Sequence, residues 1–263
     1  MEPGASEIPV VSSPGVFWYY CIDRRMNGMN QQQTSFSQGL SAVASRTILR
    51  NVYIWMTLGL IITGVVALMV ANNQQVVYAI ASSPGLLMML IIGELALVWF
   101  LSASIHKLST GTAAALFALY SGLNGVTLSF IFLVYTANSI ATVFFITAGT
   151  FAAMSLYAMT TKRSLEGWGH YLLMGLIGLI IASVVNIFLR SEAMYFIISG
   201  VGVLLFTALT AYDTQQIKKM SDQLTGEVGE EDFVRLSILG ALRLYLDFIN
   251  LFLYLLRFLG NRR

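Results

Sequence analysis

Arg243, Asp247, Asn250 and Tyr254 interrupt an otherwise apolar stretch, Leu236 to Gly260, at intervals of four, three and four. On a helix that spacing aligns all four on one stripe, with Leu, Ile and Phe over the remaining circumference. The stretch is apolar enough to enter a bilayer, where an acid at mid-depth costs ~2.5–3.5 kcal/mol. The stripe therefore has to face protein or water, and Asp247 becomes a candidate for chemistry rather than packing. A second acid, Asp213, closes another apolar run, with Thr210 three residues before it and Gln216 three after. If the two helices meet, two carboxyls share one low-dielectric site in which like charge and desolvation both disfavour double ionisation. Such a pair is a proton switch that needs no cofactor, and it can act by releasing a cation that the ionised acids hold.

Other polar groups fall inside apolar runs. Glu94 divides between a role beside the pair and a plain acid near a helix end that reaches the interface. Arg243 stands four residues before Asp247 on the same face, the spacing of a local ion pair. Tyr120, Asn124 and Thr127 repeat the four-three spacing, and Asn186 adds an amide in a further run, so several helices offer a polar edge to a common centre. For Asn124, Thr127, Asn186 and Asn250 the leading expectation is helix-to-helix glue, at about 0.6 kcal/mol per hydrogen bond. Gly149 with Ala153 reads as a small-residue packing pair, and His106 and His170 as interfacial.

Apolar runs of about 20 residues, the length that crosses a hydrocarbon core of about 30 Å, carry these groups. They fall at Val52–Ala71, Leu86–Ile105, Thr112–Val134, Ile140–Met159, Tyr171–Leu189, Ala193–Tyr212 and Leu236–Leu259. The expected fold is all-α and integral to the membrane, a bundle of seven transmembrane helices in residues 46–263 with the last helix central. Of 263 residues 57% are hydrophobic and only 11% charged, whereas soluble domains carry about 25% charge. Residues 1–45, with three prolines and a Gln triplet, read as a disordered cytoplasmic tail without a cleaved signal. Lys107, Lys162, Arg163, Lys218, Lys219 and Arg235 gather in alternate connections, which puts the N-terminus in the cytoplasm. Seven crossings would then put the C-terminus outside, where Arg257, Arg262 and Arg263 are unexpected. The last segment either crosses against the rule or is re-entrant.

Fifteen Lys and Arg against thirteen Asp and Glu give no nucleic-acid signature, and one cysteine, Cys21, allows no intrachain disulfide. No GxxxxGK(S/T), HExxH, GxSxG or CxxC motif occurs, so neither an enzyme, a cofactor nor a firm metal site is expected. The acidic run from Ser221 to Asp232 lacks the ligand alternation of an EF-hand and reads as solvated.

The stretches LTAYDTQQIKKM (Leu209–Met220), SILGALRLYLDFINLFLYLLRFLGNRR (Ser237–Arg263) and ALYSGLNGVTLSFIFLVYT (Ala118–Thr136) resemble the Bax inhibitor (transmembrane BAX inhibitor motif, TMBIM) family. The short loops resemble its bacterial inner-membrane branch, and the likeness runs over about Arg46 to Arg263. It implies a seven-helix fold with the last helix enclosed by the other six, and a pH-sensitive calcium leak. The family's aspartate pair falls on Asp213 and Asp247, and its acid in the second helix on Glu94. Two departures stand out. His106 and Lys107 occupy the region where the family places an arginine latch, and lysine lacks that residue's planar fork. Arg243 replaces a small polar residue. Two functions follow: a proton-gated cation leak with calcium as the permeating ion, or an interaction protein regulating a membrane protease or stress machinery through its tail and acidic connection. A secondary transporter would show inverted repeats, and the halves lack convincing self-similarity.

Overall fold

The computed structural model describes residues 48–223 and 230–262. The expected tail, 1–45, and the middle of the acidic connection lie outside the described residues. The elements are α1 (Ile48–Ala71), α2 (Gln74–Ala81), α3 (Pro84–Ser104), α4 (Thr110–Leu128), the single turn α5 (Ile131–Val134), α6 (Ala137–Thr160), α7 (Gly169–Leu189), α8 (Glu192–Gln223) and α9 (Glu230–Leu259). Taking α4 with α5 as one span, seven helices are long and apolar enough to cross a membrane. Their outer surface carries Phe188, Phe145, Leu204 and Met89 at 81, 73, 73 and 70% exposure, a collar that only lipid solvates.

α9 occupies the centre. In its most apolar 18-residue stretch 72% of residues are buried, against 39% in the next most enclosed span. Ile238, Ala241, Leu244, Tyr245 and Leu251 are wholly buried. α4, α6 and α8 pack on it directly, as does the 3-10 turn Ile105–Lys107 that follows α3. Val52 of α1 seats against Gly240. α7 lies mainly against α8, so the enclosure of the last helix is less complete than the family resemblance implies.

Two elements exceed their apolar runs. The polar stretch after Ala71 is not a bare loop: Asn73 caps α2 by accepting from the Val76 N–H at 3.3 Å, and Val77 and Ile80 anchor that short helix. α8 continues about three turns past the expected end at Tyr212, because its polar end finds partners in the α6–α7 connection. Gln215 donates to the Arg163 carbonyl (2.9 Å) and accepts from the Leu165 N–H (2.6 Å). Lys218 donates to the Met159 carbonyl at 2.8 Å, satisfying an oxygen freed at the end of α6, and Lys219 pairs with Glu166 at 2.6 Å. Asp213 therefore sits well inside its helix rather than at its end.

The last segment is a single helix long and apolar enough for a full crossing. α9 runs unbroken for 30 residues, after which Arg262 forms an antiparallel bridge with Tyr135, in the connection before α6. The Asn261 N–H donates to Ser139 Oγ at 3.0 Å, and the Arg262 guanidinium lies 5.1 Å from the Tyr195 ring centroid. Burial, then the neighbouring Tyr195, pushes the Tyr135 hydroxyl above its ordinary value against a smaller opposing pull from Arg262. The chain end thus lies on the face that holds Tyr135 and the α7–α8 turn, opposite the face that holds Lys162 and Lys218.

Helix α4 meets α1 by close backbone approach at Gly125, where an added Cβ would lie 2.7 Å from the Thr63 carbonyl oxygen. Gly149, expected to pack with Ala153, instead meets nothing within 4 Å, and Ala153 is exposed. Gly125→Ala is expected to cost about 1–3 kcal/mol by overpacking, read as a lower thermal midpoint in detergent, while Gly149→Ala leaves the midpoint unchanged or slightly higher. With Cys21 replaced by serine, single cysteines at Arg190 and at a C-terminal extension should label from one side of the membrane. A cysteine at Lys162 should label only from the other.

Candidate functional site

α8 and α9 run against each other along most of their length, and the polar stripe of α9 faces this contact. Tyr254 stacks on Phe206 of α8 with ring centroids 5.6 Å apart, over a place where a Cβ on Gly202 would come within 2.5 Å of the ring. That close approach lets the two helices bring Asp213 and Asp247 together. The two carboxyls lie within hydrogen-bonding reach of each other. Asp247 is 5% exposed, and no donor among the described residues reaches its Oδ2. Two carboxyls at such range repel when both are ionised and attract when one proton lies between them.

Arg243 exerts its charge on both acids. It does not make the expected ion pair with Asp247: Arg243 is exposed, and among the described residues no carboxylate comes within ion-pairing distance of it. The physical reason is that Asp247 turns toward Asp213 of α8, while Arg243, one turn away, lines a small hollow beside Ile217 and Met220 of that helix. His106 and Lys107 are exposed on the 3-10 turn, and neither is among the groups whose charge acts on the pair. The structure therefore does not bring them to the pair as a latch. Asn250 donates to the Leu246 carbonyl of its own helix at 2.8 Å and serves the helix rather than the pair.

The other polar edges do not converge on the carboxyls. They form a second nest on the opposite side of α9, around Tyr245. Its hydroxyl meets Thr63 Oγ1 of α1 at 2.6 Å, and that oxygen also lies 2.9 Å from the Ser121 carbonyl of α4. Tyr120 packs edge-on against Tyr245 at 5.7 Å and accepts from Asn124 Nδ2 at 3.0 Å. Glu94 is in mid-helix rather than near an end, and accepts from Thr127 Oγ1 at 2.5 Å. Asn186 belongs to neither nest: its Oδ1 accepts from the Ser191 N–H at 3.1 Å and closes the turn after α7, where Arg190 is left-handed at φ 51°. Tyr245 and Thr63 were not singled out by spacing. Neither falls on the polar stripe of its run, and only their contact across the bundle reveals them.

In the acidic connection, Glu231 and Asp232 are exposed and pair with Arg235 at 2.8 and 2.9 Å, as a solvated charge run does. Among the described residues no group of three or more His, Cys, Asp or Glu stands close enough to hold a metal ion.

The family described as "Inhibitor of apoptosis-promoting Bax1" matches residues 45–263. The chain is 53% identical over 218 residues, 83% of its length and 93% of the relative's, to "Inner membrane protein YbhL" of Escherichia coli (strain K12). A protein of Borreliella burgdorferi is 49% identical over 215 residues, covering 82% of this chain and 92% of its own. One from Rickettsia prowazekii is 43% identical over 231 residues, covering 87% and 93%. The match takes in all seven apolar helices together with both aspartates, and the chain belongs to the Bax inhibitor family.

Proposed function

We propose that this protein is a proton-gated cation leak of a bacterial inner membrane, with calcium the permeating ion and the shared proton of Asp213 and Asp247 as the gate. The observation that carries the reading is the meeting of two carboxyls from different helices at a buried point. A hard divalent cation is bound by carboxylate oxygens, and these two are the acids that α8 and α9 turn toward each other. With one proton between them they clasp α8 to α9; without it, they repel or take a cation. The opposite side of α9 is tied to α1 and α4 through Tyr245 and Thr63, which directs any rearrangement toward α8. In this reading the protein is not an enzyme and needs no cofactor. The inner-membrane assignment draws on the Escherichia coli relative's name, and the cytoplasmic position of the N-terminal side on the Lys and Arg of the alternate connections.

The regulatory alternative invoked residues 1–45 and the acidic connection as docking surfaces. Most of these lie outside the described residues, and no observation among the rest favours it.

The test is flux from the purified protein in liposomes enclosing a fluorescent calcium indicator, followed across pH. The wild-type chain is expected to give a pH-dependent calcium flux, and Asp213→Asn and Asp247→Asn each to flatten the profile. Arg243→Gln should move the midpoint while preserving the dependence. A flux that falls with acidity assigns the shared proton to clasping the bundle closed and the ionised pair to binding the ion; one that rises assigns the ionised pair, holding a cation, to keeping the bundle closed. A pH profile surviving in both Asn variants would falsify the gate, and wild-type liposomes without flux would remove the leak itself.

A further inference from the structure

Between α1 and α6 the bundle opens sideways in a groove of about 470 Å³ whose floor is Phe248 of α9. A second hollow of about 110 Å³ shares Leu60, Phe144 and Phe248 with it and continues the furrow toward Phe132 and Ile140. Both are lined almost wholly by apolar side chains, and both open on the collar that lipid solvates. An apolar furrow of this kind, running along a transmembrane bundle, has the shape of an acyl chain.

One end of the furrow carries charge. On α1, Tyr53, Thr57 and Leu60 line the groove, and the exposed Arg50 precedes them by one turn on the same stripe. On α6, Ala148, Ala152, Ser155 and Met159 line the other wall at intervals of four, three and four, and the exposed Lys162 follows three residues later, just past the helix end. The Met159 carbonyl already accepts from Lys218, so the end of α6 presents cations rather than bare oxygens to this mouth. Two exposed cations at one end of an apolar furrow are what an anionic headgroup would neutralise.

We propose that the α1–α6 groove binds an anionic phospholipid, one acyl chain lying over Phe248 and the phosphate held by Arg50 and Lys162. Basic pockets between transmembrane helices select acidic headgroups by this combination of charge and shape. The site is separate from the carboxyl pair, although its floor residue, Phe248, is the neighbour of Asp247 in sequence.

The test is native mass spectrometry of the full chain released from detergent, titrated with phosphatidylglycerol and with phosphatidylcholine of identical acyl chains. Wild-type protein should retain phosphatidylglycerol about thirtyfold more tightly, the sum of two cations acting at the membrane surface. The Arg50→Gln/Lys162→Gln double variant should bring the ratio close to one while still holding either lipid weakly. Ala152→Trp, at an exposed position on the groove wall, should lower retention of both lipids with an unchanged thermal midpoint. Equal affinity of the wild type for the two lipids overturns the proposal, as does a preference that survives the double variant or retention untouched by Ala152→Trp. A lipid-free dimer that Ala152→Trp dissociates would identify the groove as a contact between copies, and would overturn it too.

Discussion

In the proposed reading Asp213 and Asp247, within hydrogen-bonding reach of each other, share a proton or a cation, and the packing of α8 and α9 around them follows from that constraint. Asp247 must be shielded from lipid, so α9, which carries it, is the most enclosed helix. Asp213 must lie at the same depth, and α8 achieves this by running well past its apolar segment. The two helices must also come close. Gly202 beneath the Tyr254 ring gives the room for that approach, and the stacking of Tyr254 on Phe206 holds it. Removing any of these would leave one acid facing the other across too large a gap for a shared proton.

The geometry of α9 separates this site from a second polar nest. Tyr245 precedes Asp247 by two residues, about 200° around the helix, so the two side chains leave opposite sides of it. Tyr245 reaches α1 and α4, where the Thr63 hydroxyl, itself bonded to the Ser121 carbonyl, and the rings of Phe117 and Tyr120 receive it. Asp247 reaches α8, where another acid receives it. Hydrogen bonds of the first kind are satisfied at any ordinary pH, whereas a carboxyl pair changes with its proton. In the proposed reading the side toward α1 and α4 is the anchor, and the side toward α8 is the one that responds.

The sequence made the number of spans legible because lipid demands about 20 apolar residues per crossing, and made the aspartate pair legible because acids inside such runs are costly. The boundaries failed where polarity and helicity diverge. Hydropathy drops after Tyr212, yet the backbone remains helical, because Gln215 and Lys218 find carbonyls in the α6–α7 connection. The expected Arg243–Asp247 pair failed for a related reason: spacing on one helix ignores what the next helix offers, and α8 offered Asp213. Tyr245 and Thr63, 182 positions apart, could not be matched by any local rule. Glu94 and Thr127 were each visible, but only the packing of α3 on α4 joined them.

The terminal arginines show why a charge count left the last helix undecided. The rule that cations remain on the cytoplasmic side concerns side chains free to be solvated in short connections. Arg257 instead lies over the Tyr254 ring at 5.5 Å, and Arg262 lies over Tyr195 within hydrogen-bonding reach of Tyr135. A guanidinium held by aromatic faces and hydroxyls serves the packing of the chain end. The bridge between Arg262 and Tyr135 fixes the end of α9 to the connection before α6, and so fixes the depth at which Asp247 is presented to α8. In this chain those arginines are part of the support for the carboxyl pair, and their position follows from that support rather than from the distribution of charge across the membrane.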